Sequence, residues 1–98
     1  MSSKAEVTLN AIHELQKAMA SYKQSLQYTS KMFPVDVIVF WVQHVDKLIA
    51  RCDALATKIK RQDRVSPNES KEMDELMGLG RYIVRSSTRE LTELTHPT

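Results

Sequence analysis

The apolar residues Ile38, Trp41, Val42, Val45, Leu48, Ile49, Cys52, Leu55, Ala56 and Ile59 recur in alternating steps of three and four. That is the period of an α-helix with one side turned to a core. The opening PVDVIVFWV, taken alone, also suits a buried strand, because Val and Ile are stiff at χ1 and favour pleated surfaces. Ile38 and Val42 nevertheless stay in phase with Val45 and Ile49, and alternation disappears after Trp41. The stretch also exceeds ordinary strand length. A single long helix from Pro34 to Arg61 is therefore expected, and the segments on either side must pack against it.

From about Ser3 to Lys31 the same period runs through Ile12, Leu15, Met19, Tyr22 and Leu26, extended backwards by Ala5, Thr8 and Leu9 and forwards by Phe33. Its other faces carry Lys4, Glu6, Asn10, Glu14, Lys17 and Lys23, so this first helix should be half wet and half packed. Pro34 disfavours the α conformation in the residue before it and cannot donate to the preceding turn, which puts the break near Phe33. It can open the next helix at the first position, with Asp36 where a carboxylate favours the helix start. Two long helices joined by a short turn pack antiparallel. Lys58, Lys60 and Arg61 complement the carbonyl end of the second helix.

Gln62 to Ser66 is the main loop. Ser66, Pro67 and Glu69 then form a capping box with proline at the first helical position, which starts a third helix. Its stripe is Met73, Leu76, Met77, Gly80, Ile83, Val84, Leu91 and Leu94. Gly78 and Gly80 each weaken a helix by about 1 kcal/mol relative to Ala and invite a kink. Ser87 and Glu90 have the spacing of a second capping box, which would place a break just beyond Arg85; one kinked helix is the preferred reading. Thr95 to Thr98, with Pro97, should fray. The expected fold is all-α: a long antiparallel helical hairpin plus a third, kinked helix, forming one protein-binding domain over residues 1–98.

Two Gly and three Pro in 98 residues, of which 27% are charged, agree with long helices and few turns. A net charge of +2 is too mild for a general grip on nucleic acid without a concentrated basic face. A lone cysteine cannot form an internal disulfide, and MSSKAEVTLN lacks the apolar core of a secretory signal, so a reducing cytoplasm is expected. The longest apolar run, Val37 to Val42, is far short of the roughly 20 residues that cross a bilayer, so no membrane association is expected.

No catalytic constellation is legible. His13, His44 and His96 share no zinc-like spacing with one another or with Cys52, so no metal or cofactor is expected. Cys52 lies on the apolar stripe and reads as a small buried hydrophobe rather than an activated thiolate. Gly78 to Gly80 (GLG) lacks the strand and further glycines of a phosphate loop, so close helix packing is the simpler role. Two basic groups remain: Lys58, Lys60, Arg61 and Arg64 near the main loop, and Arg81, Arg85 and Arg89 spaced by four. The second set could follow phosphates, but Glu90 and Glu93 dilute it and a solvated face is the ordinary reading. Direct nucleic-acid binding is thus an alternative function, although a helix-turn-helix would want shorter helices. Val35, Val37, Val39 and Phe40 fall outside the core stripe of the second helix. Either the third helix covers them, or they receive a protein partner or a second copy of the chain in a structural homodimer.

The short helical chain, the FPVDVIVFW entry and the basic loop R-V-S-P-N-E together resemble the small anti-RecBCD proteins of lambdoid phages. The resemblance implies a non-enzymatic modulator that binds a host protein complex, the RecBCD recombination nuclease-helicase, through its RecC subunit and alters its processing of DNA ends in the host cytoplasm. It also implies a cyclophilin-type prolyl isomerase as a partner, which singles out Pro67 within Arg61, Arg64, Ser66, Pro67 and Asn68. That implication pulls against the capping box, because proline at the first position of a stable helix is normally trans.

Overall fold

In the computed structural model, which describes residues 3–95, helix α1 spans Ser3–Tyr28 and is followed by a 3₁₀ turn at Thr29–Lys31. Helix α2 spans Val35–Gln62 and helix α3 spans Pro67–Thr95. Side-chain bonds across the seams give the directions. Lys23 Nζ donates to Asp46 Oδ1 at 2.8 Å, and Gln16 Nε2 donates to the Ile49 carbonyl at 3.3 Å and to Asp53 Oδ1 at 2.6 Å. Residue numbers rise on α1 as they fall on α2, so the two are antiparallel. Trp41 bonds to Glu90, Arg51 lies 3.7 Å from Glu75, and Lys58 lies 3.5 Å from Glu69, so α2 and α3 are antiparallel as well. The outer helices α1 and α3 run parallel, with Tyr22 bonded to Ser87.

The all-α hairpin with a third helix is thus the fold, and α2 is its middle member. Ile38, Trp41, Val45, Leu48, Cys52, Leu55, Ala56 and Ile59 are buried, while Val42 and Ile49 are only half-buried. They meet Ala5, Leu9, Ile12, Met19 and Leu26 from one side and Met73, Leu76 and Ile83 from the other. The result is a rod of 53 × 20 × 17 Å with a radius of gyration of 15.7 Å, against about 13 Å for a compact domain of similar length. No helix among the described residues is long and apolar enough to cross a membrane.

The turns depart from expectation in detail. Pro34 is not the first helical residue. Its extended backbone (φ −54°, ψ 132°) makes it the cap, and its carbonyl accepts from Val37 at 3.2 Å and Ile38 at 3.3 Å. Helix α2 ends on Asp63 in the left-handed region (φ 53°), whose N–H donates to the Ile59 carbonyl at 2.8 Å. Asp is one of the few non-glycine residues that adopts this conformation readily.

Helix α3 is unbroken through Gly78, Gly80 and Ser87. Ser87 starts nothing. It is fully buried, its hydroxyl donates to the Ile83 carbonyl at 2.6 Å, and it bonds to the Tyr22 hydroxyl. The two glycines differ: a Cβ on Gly80 would stand 3.2 Å from Leu15 Cδ1, whereas a Cβ on Gly78 meets nothing within 4 Å. Gly80 is therefore where α3 closes on α1. The stripe on α3 is also narrower than its period suggests, with Met77, Val84 and Leu94 exposed. His96 and the expected fraying at Pro97 and Thr98 lie outside the described residues.

Candidate functional site

At the start of α2 the backbone turn that buries Trp41 leaves Phe40 a hundred degrees off the core. Phe40 therefore stands at the edge of the α2–α3 seam, 49% exposed, edge-on to Trp41 with ring centroids 5.0 Å apart and planes at 89°. One turn later the His44 ring lies 4.4 Å from Phe40 and 5.5 Å from Trp41. Its Nδ1 is 2.9 Å from the Phe40 carbonyl, which can only accept, so Nδ1 carries the proton. From α3, Tyr82 brings a fourth ring to 6.3 Å from Trp41 and is 57% exposed. Trp41 itself is buried and pinned, its Nε1 donating to Glu90 Oε1 at 2.7 Å.

The cluster continues along the seam into a hollow of ≈ 230 Å³ floored by Leu48 and Ile83 and bounded by His44, Leu79 and Tyr82, with Lys47 and Arg51 at its lip. Exposed aromatic and aliphatic side chains thus surround an indole held by its bond to Glu90. Leu79 and Tyr82 were not singled out in the sequence, and His44 was weighed there only as a metal ligand. Leu79 and Tyr82 flank the α3 stripe rather than belonging to it, and only the pairing of α3 with α2 brings them beside Phe40.

The other apolar residues at this end divide. Val37 is half-buried, packs on the core and shares a hollow with Glu90 of α3, so α3 does cover part of the surplus face. Val35 and Val39 are exposed, as are Tyr28 and Met32 on the other side of the turn. Exposed apolar side chains therefore gather at this end of the rod, among the polar Gln27, Lys31 and Asp36.

Arg61, Arg64, Ser66, Pro67 and Asn68 lie at the opposite end. Val37 and Arg61 are separated along α2 by roughly 36 Å at 1.5 Å per residue. These two groups of residues thus form two surfaces, not one. Arg61, Arg64, Pro67 and Asn68 are exposed. The capping box is present: Ser66 N–H donates to Glu69 Oε1 at 3.2 Å, and Glu69 N–H reaches Ser66 Oγ at 3.5 Å. Glu69 is 3% exposed with Lys58 Nζ 3.5 Å from its other oxygen. Hydrogen bonding from the Ser66 side chain, then from its backbone, holds the Glu69 carboxyl below the usual carboxylate range, and Lys58 adds to this against the cost of burial. Every peptide bond among the described residues is trans, Ser66–Pro67 included.

Arg81, Arg85 and Arg89 are exposed on α3, and among the described residues none of them is held in an ion pair. Arg81 and Arg85 border the seam with α1 and so face away from the aromatic cluster. Cys52 is fully buried, and burial, then the charge of Asp53, pushes its thiol up, away from the reactive thiolate. No three His, Cys, Asp or Glu side chains among the described residues converge on a metal-sized space. Set against protein-family models, curated proteins and solved structures, the chain matches none.

Proposed function

We propose that this chain is a non-enzymatic docking protein that seats its α2–α3 aromatic patch on a larger protein assembly. The exposed Phe40 and Tyr82 around the pinned Trp41 carry this reading. Rings of this kind dominate binding energy when a partner desolvates them. The resemblance supplies the class of assembly: a bacterial recombination nuclease-helicase of the RecBCD type, engaged through its RecC subunit in the host cytoplasm. The opposite end of the rod is the place for the cyclophilin-type isomerase, since Pro67 is exposed there in a loop flanked by Arg61, Arg64 and Asn68. The trans bond and the intact cap mean that this partner would have to act on a frayed first turn.

The test is capture of purified RecBCD by the immobilised chain, followed by the Phe40→Ala, Tyr82→Ala double variant. Both residues are about half exposed, so helix content and stability should change little while capture falls by at least about tenfold. Undiminished capture by the double variant would remove the patch from the proposal. Failure of the native chain to hold the assembly, combined with salt-sensitive binding of duplex DNA, would favour a phosphate-contacting role for Arg81, Arg85 and Arg89 instead.

A further inference from the structure

On the other flank of α3, its seam with α1 is open. Leu15 and Met19 from α1 and Gly80 from α3 floor a groove of ≈ 400 Å³ that Met77 and Val84 border, both more than a third exposed. Arg81 and Arg85 stand on its α3 lip at one-turn spacing, and Arg89 continues the row. On the α1 side the rim is low: Ala11 and Ala18, four before and three after Leu15, are small and exposed. Because α2 covers the α1–α3 seam from one side only, this groove occupies the position that a fourth helix takes in a four-helix bundle.

We propose that this groove receives an amphipathic helix of a partner protein, with apolar residues facing Met77 and Val84 and acidic residues facing Arg81 and Arg85. The occupant is a helix because two adjacent parallel helices present ridges spaced for one, and the low α1 rim lets its backbone approach closely. It is acidic because the lip is cationic and, among the described residues, its guanidinium groups are not committed to ion pairs. Asp74 lies two turns before Arg81 on the same flank, so the cationic stretch begins at Arg81 and the acidic residues of the occupant fall opposite Arg81 to Arg89. A bare phosphate backbone fits less well, since it would leave the apolar floor wet. This surface does not depend on the aromatic patch and lies on a different seam.

The test is a yeast-displayed library of amphipathic helices, randomised at the apolar and flanking positions and selected for binding to the full chain. The expected winners carry large aliphatic residues at i, i+3, i+4 and i+7 with Asp or Glu beside them. Val84→Glu should weaken them by at least about tenfold by setting a charge against the apolar face. Arg81→Gln with Arg85→Gln should weaken them less and flatten their salt dependence. Val84 is exposed, so circular dichroism should show Val84→Glu folded, and Met77→Gln is a second groove variant of smaller disturbance. The proposal is overturned by any of four results: no enrichment; winners that are neutral or basic; winners indifferent to both groove variants; or a homodimer by light scattering that Val84→Glu dissolves, which would make a second copy the occupant. It is also overturned if short duplex DNA binds more tightly than the winning helices and loses affinity in the arginine variant but not in Val84→Glu.

Discussion

Gly78 and Gly80 sit two residues apart on one helix, and replacing each by alanine should give different answers. In a helix interior, Ala is favoured over Gly by about 0.8–1.0 kcal/mol. Gly78 offers that gain without opposition: its φ is not positive, and a new Cβ meets nothing within 4 Å. Gly78→Ala should therefore stabilise the protein by about 0.8–1.0 kcal/mol. At Gly80 the same gain is opposed by a Cβ 3.2 Å from Leu15 Cδ1, with Leu48 Cδ2 and Met19 Sδ in ordinary contact at 3.7 Å. Overpacking costs about 1–3 kcal/mol. Leu15 is half-buried beside the open α1–α3 groove and can swing aside, so the low end of that range applies. Gly80→Ala should then be close to neutral. The two variants should differ by about 1 kcal/mol, or roughly 4–8 °C in Tm for a domain of this size. Urea denaturation followed by circular dichroism measures both. In a Leu15→Val background, which lacks the crowding Cδ1, Gly80→Ala should recover most of the stabilisation seen at Gly78, a non-additivity expected only of touching residues. Equal shifts for the two single variants, or no recovery in the Val background, would refute the close approach at Gly80.

Ser66→Ala should cost roughly 0.5–2 kcal/mol by removing the cap of α3, read from the urea midpoint. The pH dependence has a definite sign. Because the folded-state pKa of Glu69 is depressed, its contribution is present above the unfolded value of about 4.3 and is lost as pH falls through the folded value. Glu69→Gln should accordingly be less stable than the native chain at neutral pH and should show a smaller loss on acidification; parallel curves for the two proteins would contradict this. Leu55→Ala, at a residue 2% exposed, should cost about 2–5 kcal/mol. Ile49→Ala should cost less, because Ile49 is only half-buried; the reverse order would mean that the packing face of α2 is misplaced. Replacing Arg81, Arg85 and Arg89 together by Gln should leave thermal stability within about 0.5 kcal/mol of native.

The core of α2 was legible because its period is uninterrupted over six turns and is satisfied on two sides, so nearly every in-phase residue is enclosed. The same reasoning over-read α3. Met77 and Val84 are in phase but exposed, since they border the open α1–α3 groove, which no further helix covers among the described residues. The capping box at Ser66 was readable because it is a local arrangement, completed by groups three residues apart. Ser87 has the same spacing to Glu90 and caps nothing, because Tyr22 and the Ile83 carbonyl claim its hydroxyl and Trp41 claims Glu90. Half of the aromatic patch could be anticipated from Phe40, which breaks the stripe of its own helix. Tyr82 and Leu79 join it only through the register of α3 against α2, which no pattern within either segment encodes. The distance between Phe40 and Pro67 follows from helix length alone, yet only the unbroken course of α2 rules out their sharing one surface.

The parallel arrangement of α1 and α3 has a kinetic consequence. Contacts between α1 and α2, and between α2 and α3, close short loops and should form early, as is usual for helical domains rich in local contacts. The contact of Leu15 with Gly80 joins residues on opposite sides of the intervening helix and closes a far larger loop, so it should form after the transition state has been crossed. Substitutions along that seam would then leave the refolding rate unchanged and act on the rate of unfolding. In a chevron plot Tyr22→Phe and Ser87→Ala would move only the unfolding limb, making the seam that closes last the one that sets the lifetime of the folded rod.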